Sequence, residues 1–300
     1  MNEVATLSTA NFSDMAKAMG IAGESDSATS KALSLARLRL THDPIMGQKQ
    51  IDGKKMNLEV VPAGSYRLEI PEVGIYYSTD VSMRIFAQRF MYKRFVKGTK
   101  NTPNMYVKTV MSDNLNKDLK DNMGGFNCGK PAGYIQDFKA LPKDTQELIK
   151  TIKRVRVVFG IIEFNNAVDE KGNEVSLDST PFIWEIDNRE AYKHVGEVVT
   201  KFARMKRLLP QHEVSCSAES RDLPNGKTYY VPALTADFSN VLELDVSEQA
   251  SFSDFMTWVE NYNVYITNQW SEKAMEEGDD LQDGDADIID AIIEMEDEVA

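Results

Sequence analysis

Short segments with the composition of β-strands recur along most of this chain. They are rich in β-branched and aromatic residues, are bounded by glycine, proline or asparagine, and lie at 60–61, 66–70, 76–96, 105–111, 152–164, 182–186 and 241–246. A hairpin is predicted between 213–218 and 228–231, with Pro224-Asn225-Gly226 as its turn. Because strands and helices do not alternate, we expect a mainly β fold, a small antiparallel barrel or sandwich with appended helices.

Two main helices are predicted among the strands. Asp187 or Asn188 is expected to cap the first, and Ser251 with Asp254 is expected to form the capping box of the second. The apolar positions that define them by helical spacing are Tyr192, Val195, Val198, Val199, Phe202 and Met205 in the first and Phe255, Trp258, Val259, Tyr262 and Ile266 in the second.

The composition divides the chain into three regions. Residues 1–45 are predicted to be an N-terminal arm with one or two small helices, at 12–19 and 33–40. Residues 46–272 form the predicted β-rich core, and 273–300 an acidic C-terminal tail with a flexible tether at 276–287.

Charge is distributed unevenly along the sequence. The formal net charge of 34 − 47 = −13 arises mainly from 271–300, where thirteen acids and Lys273 give −12, so that 1–270 carry −1. Residues 84–156 hold 16 bases and 6 acids, which is +10. A basic segment followed by an acidic terminus is typical of a chain that binds a polyanion and carries a competitor for it, although a salt-bridged surface with a solubilising tail has the same charge counts.

The segment from Met83 to Val96 is the most informative for function. In a regular strand, one face would present Arg84, Phe86, Gln88, Phe90, Tyr92 and Arg94, so that cations alternate with rings. Single-stranded nucleic acid needs this combination, since cations neutralise phosphates and rings stack on bases. The alternative is that the two phenylalanines are core residues and the arginines mark the strand ends. The full predicted groove is Arg84, Phe86, Arg89, Phe90, Tyr92, Lys93, Arg94, Lys97, Lys100, Tyr106, Lys108, Lys130, Tyr134, Arg154 and Arg156.

Several other kinds of site are excluded or disfavoured by spacing. The stretch from Gly124 to Lys130 resembles the start of a phosphate-binding loop, but Pro131 stands where the magnesium ligand belongs. His212 and Cys216 are about 13 Å apart in an extended chain, too far to share a zinc ion. The sequence shows no recognisable Ser/His/Asp or Cys/His catalytic set. We therefore expect a protein that is not an enzyme and holds no cofactor or metal.

The tail carries aliphatic residues as well as acids. The aliphatic residues recur in pairs every four residues, so a helix would place them on one apolar stripe. Such a stripe fits the groove of a partner protein. The alternative is that the stripe covers an exposed patch of its own domain. The predicted partner-binding residues are Ile288, Ile289, Ile292, Ile293 and Met295.

The order of these regions resembles that of a tailed-phage replicative single-stranded DNA-binding protein. Three segments are also similar to such proteins: Pro181-Phe-Ile-Trp-Glu-Ile, Lys206-Arg-Leu-Leu-Pro and Gly226-Lys-Thr-Tyr-Tyr-Val-Pro. The resemblance implies an OB-fold core that coats single-stranded DNA regardless of sequence in replication, recombination or repair. It also implies cooperative self-association through the arm and a tail that recruits proteins such as a polymerase or helicase. The zinc-binding Cys/His set of some of these proteins is not evident here.

Two other functions fit the same sequence. A single-strand annealing recombinase would share the basic surface, and a virion or host-interaction protein would use the tail and helices without binding DNA. No apolar run approaches the roughly 20 residues that span a bilayer, and the N-terminus lacks the order of a secretory signal, so we expect the cytoplasm, that of the host if the protein is viral.

Overall fold

The computed structural model describes residues 35–51, 54–98, 103–131 and 133–297, without the side chains of 49–51, 54–55, 247 and 275–297. The chain divides into units at 1–34 and 35–300, and the described residues belong to the second. Its strands are β1 Ala36–Leu40, β2 Ile45–Ile51, β3 Lys54–Val61, β4 Tyr66–Ile70, β5 Gly74–Ser78, β6 Asp80–Val96, β7 Met105–Lys108, β8 Ile152–Asn165, β9 Val168–Asp169, β10 Thr180–Ile186, β11 Val214–Asp222 and β12 Thr228–Ala236. Its helices are α1 Lys143–Thr151, α2 Arg189–Arg204 and α3 Val246–Asp297.

Ten strands form one sheet in the order β12-β11-β6-β8-β10-β1-β4-β5-β9, with β7 also paired to β6. The pair β2–β3 is a separate two-stranded sheet. Every pairing is antiparallel except that of β1 with β10. The prediction of a mainly β fold with appended helices is confirmed, but the sheet is not closed into a barrel within the described residues.

The sheet buries both of its faces, each against one helix. We call them the α2 face and the α3 face, and cross-strand partners share a face. On the α2 face, Phe182, Ile85 and Ile162 pack with Val195 and Phe202 of α2. On the α3 face, the core residues are Phe86, Ala87, Met91, Val155, Val157, Phe159 and Ile183, with Phe255 and Val259 of α3.

The sheet curls around its α2 face. Tyr66 of β4 is fully buried there, and its hydroxyl donates a hydrogen bond to the carbonyl of Ser217 in β11 at 2.9 Å. β4 and β11 are far apart in the sheet order, so this hydrogen bond shows that the sheet curves enough to bring the two strands together. Burial raises the pKa of Tyr66, and Cys216 raises it further, so this hydroxyl stays a donor at ordinary pH.

The helix boundaries confirm one predicted cap and correct the other. Asn188 caps α2, because its side chain accepts from the backbone N–H groups of Glu190 and Ala191 at 2.9 and 3.0 Å. The capping box of α3 is Asp245 with Glu248, each side chain accepting from the other's backbone N–H at 2.8 and 3.1 Å. The predicted box at Ser251 and Asp254 is therefore wrong, as is the predicted strand over 241–246.

The two ends of the core also differ from the prediction. The pattern at 33–40 was expected to form a helix of the arm, but 36–40 is strand β1, with Leu38 buried and Arg37 and Arg39 exposed. At the other end, α3 continues to Asp297, so its backbone is helical where a flexible tether was predicted. The predicted helix at 12–19 lies outside the described residues, as do the side chains of the tail stripe. No helix in the described part is long and apolar enough to span a membrane.

Candidate nucleic-acid interface

A β-bulge in β6 divides the predicted groove between the two faces of the sheet. Ile85 is paired with Gly160 and Ala87 with Phe159, so Phe86 is an extra residue without a partner in β8. One extra residue reverses the facing of every later residue in the strand. Arg84 therefore lies on the α3 face, whereas Phe90, Tyr92 and Arg94 lie on the α2 face. The prediction that these side chains share one face is wrong.

The predicted residues before and just after the bulge serve the structure of the core. Arg84 forms an ion pair with Glu248 at the start of α3, and its Nε donates to the carbonyl of Pro210 at 2.9 Å. The ring of Phe86 is 5% exposed and packs edge-to-face on Phe255 at 5.8 Å. Arg89 donates to its neighbour's carbonyl and contacts the sulfur of Met256 at 3.1 Å. Arg84 lines a separate cavity of about 430 Å³ together with the acids Glu213 and Glu248, so none of the three belongs to the predicted groove.

Six predicted residues do come together on the α2 face, and we call them the α2-face cluster. Phe90 and Tyr92 of β6 are the cross-strand partners of Arg156 and Arg154 in β8. The Nζ of Lys130 lies 5.8 Å from the centroid of the Tyr92 ring, and the Cζ of Arg156 lies 4.9 Å from that of Phe90. The members are Phe90, Tyr92, Arg94, Lys130, Arg154 and Arg156.

The cations of the α2-face cluster differ from the other cations of the predicted groove in their ion pairing. No salt bridge within the described residues involves Arg94, Lys130, Arg154 or Arg156. The Nε atoms of Arg94 and Arg156 are buried without a hydrogen-bond acceptor. Unsatisfied donors of this kind are rare in folded proteins and call for a ligand or a strain argument.

The pKa of Lys130 is lowered mainly by burial and, to a smaller extent, by a neighbouring cation. Burial lowers it, and the charge of Arg154 lowers it further, while Asp118 acts in the opposite direction. The Lys130 ammonium is held by the carbonyls of Pro131 and Gly133 at 3.2 and 3.1 Å. An anion placed beside Lys130 and Arg154 would relieve their mutual repulsion.

An open groove of about 750 Å³ continues from the α2-face cluster along α2. The guanidinium of Arg156 lies under it, between Phe90 and Tyr192, with its Cζ 4.6 Å from the Tyr192 ring centroid. Gly196 leaves room for that guanidinium, since a Cβ there would lie 2.6 Å from its Nη2. The groove reaches Lys201 and Arg204, which extend the cationic track.

The other predicted residues of β6 and β7 lie on the α3 face. Lys93 and Lys108 are cross-strand partners and share the carboxylate of Glu185 at 3.2 and 3.4 Å. Tyr106 is 51% exposed, with its ring 5.1 Å from Phe95 and 4.8 Å from the Nζ of Lys93. They form a second group of cations and rings on the far side of the sheet.

The glycine-rich loop is organised by its own carboxylate. The buried side chain of Asp121 accepts from the backbone N–H groups of Met123, Gly125 and Cys128 at 3.0 to 3.1 Å. These N–H groups are therefore occupied and do not form a phosphate cradle. Tyr134, beyond the loop, is 89% exposed. Lys97 is exposed at the end of β6, and Lys100 lies outside the described residues.

Three contributors were not predicted from the sequence. Tyr192 was assigned to the apolar face of its helix, yet it flanks Arg156 in the α2-face cluster. Glu185, which binds Lys93 and Lys108, is absent from the predicted groove, as is Gln88, which binds Arg156 through its side-chain carbonyl. The acids Glu185 and Asp187 are paired with lysines, while Asp169 accepts hydrogen bonds within its own turn. No group of three or more metal-ligating side chains occurs in the described part of the chain.

Comparisons with protein-family models, with curated proteins and with solved structures find no match for this chain.

Proposed function

We propose that the protein binds single-stranded DNA, without regard to sequence, through the α2-face cluster and the groove along α2. The observation that carries this proposal is the set of four cations that lie beside two aromatic rings and form no salt bridge with any carboxylate that the structure describes. Phosphates supply the missing anions. The half-buried rings of Phe90 and Tyr192 offer surfaces for unpaired bases, each stacked base contributing about 1 to 3 kcal/mol, whereas Tyr92 is 4% exposed and belongs to the core. No helix in the described part presents a basic face suited to the major groove of a duplex.

The OB-like architecture is part of the same proposal. The curl of the sheet, with Tyr66 bonded to Ser217 across it, supports a barrel-like shape. An OB fold is a partly open barrel that binds oligonucleotides on one face. The open ends of this sheet, at β12 and β9, are the feature that departs from a closed barrel.

Replacing both Arg94 and Arg154 with alanine tests the α2-face cluster. We expect the affinity for a labelled oligothymidylate to fall about 10- to 100-fold at low salt, because two phosphate contacts are lost. If the wild type neutralises about six phosphates, log K falls with log salt at a slope of about −4, and the variant slope is shallower by about 1.4. Fluorescence anisotropy at several salt concentrations measures both quantities.

The matched control removes the same charge elsewhere. Lys143 begins α1 and Lys227 lies in the turn between β11 and β12, both exposed. Their double alanine variant should bind like the wild type. If the Arg94 and Arg154 variant binds as this control does, or if the wild type shows no gel shift, the proposal is wrong.

We further propose that the acidic tail competes with DNA and recruits replication proteins through its aliphatic stripe. A chain that ends after Ala274 keeps the contact of Trp270 with Phe126, at 5.7 Å, and loses most of the tail charge. It should bind oligonucleotide more tightly than the full chain, since the internal anion is gone. Titration of both chains at the same salt concentration measures this, and equal affinities would remove the competitor role.

A further inference from the structure

A groove of about 630 Å³ opens where β1 and β10 part. The two parallel strands are paired only at Ala36 with Phe182 and at Arg37 with Ile183. Beyond these pairs β1 continues beside β4 and β10 beside β8, so a gap forms between them. A groove of this volume is large enough for a small ligand.

Two arginines of β1 line the groove. Arg37 and Arg39 of β1 are exposed and line the groove, and neither forms a hydrogen bond or ion pair within the described residues. Arg39 lies directly opposite Arg67 of β4, whose guanidinium is bound to Glu69 at 2.8 Å. Like charges opposite each other destabilise a sheet, so this arrangement favours an external anion.

Two lysines and two acids also line the groove, and one of the acids, Asp187, is paired with Lys153 at 3.0 Å. Lys93 and Lys108 share Glu185, and all three line the groove. Burial alone raises the pKa of Glu185, but the two lysines outweigh it and the net pKa is lowered. Glu185 therefore stays ionised and occupies the position where an anionic ligand would meet the two ammonium groups.

An aromatic platform faces the same groove. The indole of Trp258 is stacked on Tyr262, with centroids 5.8 Å apart and planes 7° from parallel, and it also packs on Phe159 at 5.7 Å. The Tyr262 hydroxyl donates to the carbonyl of Thr109 at 3.1 Å. Because its neighbours fix the Trp258 ring, a base can stack against it at little entropic cost.

At the C-terminal end of β6 and the adjacent start of β8, cations lie on both faces of the sheet. Lys93 and Arg94 are consecutive in β6 and point to opposite faces, as do Lys153 and Arg154 in β8. This end is therefore cationic on both sides. A strand held by the α2-face cluster can pass over it and reach the groove on the other face.

We propose that this groove is a second nucleotide site, which takes one or two nucleotides of the same strand, with a base on Trp258 and phosphates at Arg37 and Arg39. The inference rests on the proposed function, since it extends the path of the same polymer. It gives β1 and α3 a role in binding the nucleic acid, whereas neither element contributes a residue to the α2-face cluster.

The experiment uses the full chain with alanine at both Arg37 and Arg39, and a labelled oligothymidylate of about 25 nucleotides, longer than the roughly 4 to 16 that one site of this kind covers. We expect a loss of affinity of about tenfold and a salt slope shallower by about 1.4. Glu185→Gln should bind several-fold more tightly, because it frees two ammonium groups. Trp258→Phe should lose most of the tryptophan quenching that the oligonucleotide causes in the wild type.

The outcomes separate the two proposals. If the Arg37 and Arg39 variant binds like the Lys143 and Lys227 control while the Arg94 and Arg154 variant is weakened, the second site is wrong and the α2-face cluster stands. If the reverse is found, the groove is the binding site and the α2-face cluster is not. Quenching that persists in Trp258→Phe also overturns the second site. Absence of binding by the wild type overturns both.

Discussion

Replacing Phe255 with alanine is expected to lower the free energy of unfolding by about 4 kcal/mol, within the range of about 3 to 5 for a buried phenylalanine. The Phe255 side chain is fully buried between α3 and the sheet. Its ring lies 5.8 Å from that of Phe86 and 6.0 Å from that of Phe159. Removal of the ring leaves a cavity at the centre of the α3-face core, which the helix cannot fill without moving. Urea denaturation followed by circular dichroism measures the change.

The control lies on the same helix. Phe252 is 45% exposed, so its alanine variant should change the free energy of unfolding by no more than about 0.5 kcal/mol. A loss below about 1 kcal/mol for Phe255→Ala would show that α3 does not pack on the sheet as described. This contact also bears on the proposed second nucleotide site, because α3 carries Trp258, which lines that groove.

Local sequence signals correctly predicted the elements that are determined by contacts between residues close together in the chain. The turn at Pro224-Asn225-Gly226 joins β11 and β12 as predicted, since Gly226 adopts a φ of +77° that favours glycine. The cap of α2 is a contact between Asn188 and the backbone N–H groups two and three residues further along the chain. The strands β8 and β10 follow from runs of β-branched and aromatic residues that suit a sheet buried on both faces.

Prediction was wrong where a distant part of the chain decides the structure. The leucines before residue 41 fit a helix or a strand, and pairing of β1 with β10 and β4 settles the choice. Arg84 has the sequence context of a ligand-binding cation, but Glu248, 164 residues away, binds it. In both cases the partner is brought close only by the fold.

The candidate site shows the same limit. The pattern of cations and rings in 84–96 was recognised, and Phe90, Tyr92 and Arg94 do lie on one face with Arg154 and Arg156. The sequence could not show that Arg84 and Phe86 lie on the other face, because a bulge has no strong signature in the strand that contains it. The partner strand accommodates the bulge at Gly160, where the carbonyl of Arg84 lies too close to leave room for a side chain.

Replacing Gly160 with alanine is therefore expected to lower the free energy of unfolding by about 3 kcal/mol, the upper end of the usual cost of overpacking. A Cβ on Gly160 would lie 2.1 Å from the carbonyl oxygen of Arg84 and 3.1 Å from the Phe182 ring. The first of these atoms is backbone, so it moves only if the pairing of β6 with β8 is disturbed at the bulge. Chemical denaturation of the purified variant measures the loss.

Gly226→Ala separates this steric cost from the ordinary cost of losing a glycine. Gly226 has positive φ and nothing within 4 Å of a Cβ, so its variant should lose only about 1 to 2 kcal/mol. An equal loss in the two variants would mean that the bulge does not press on Gly160. The register that places Arg84 and Arg94 on opposite faces of the sheet would then lack this support.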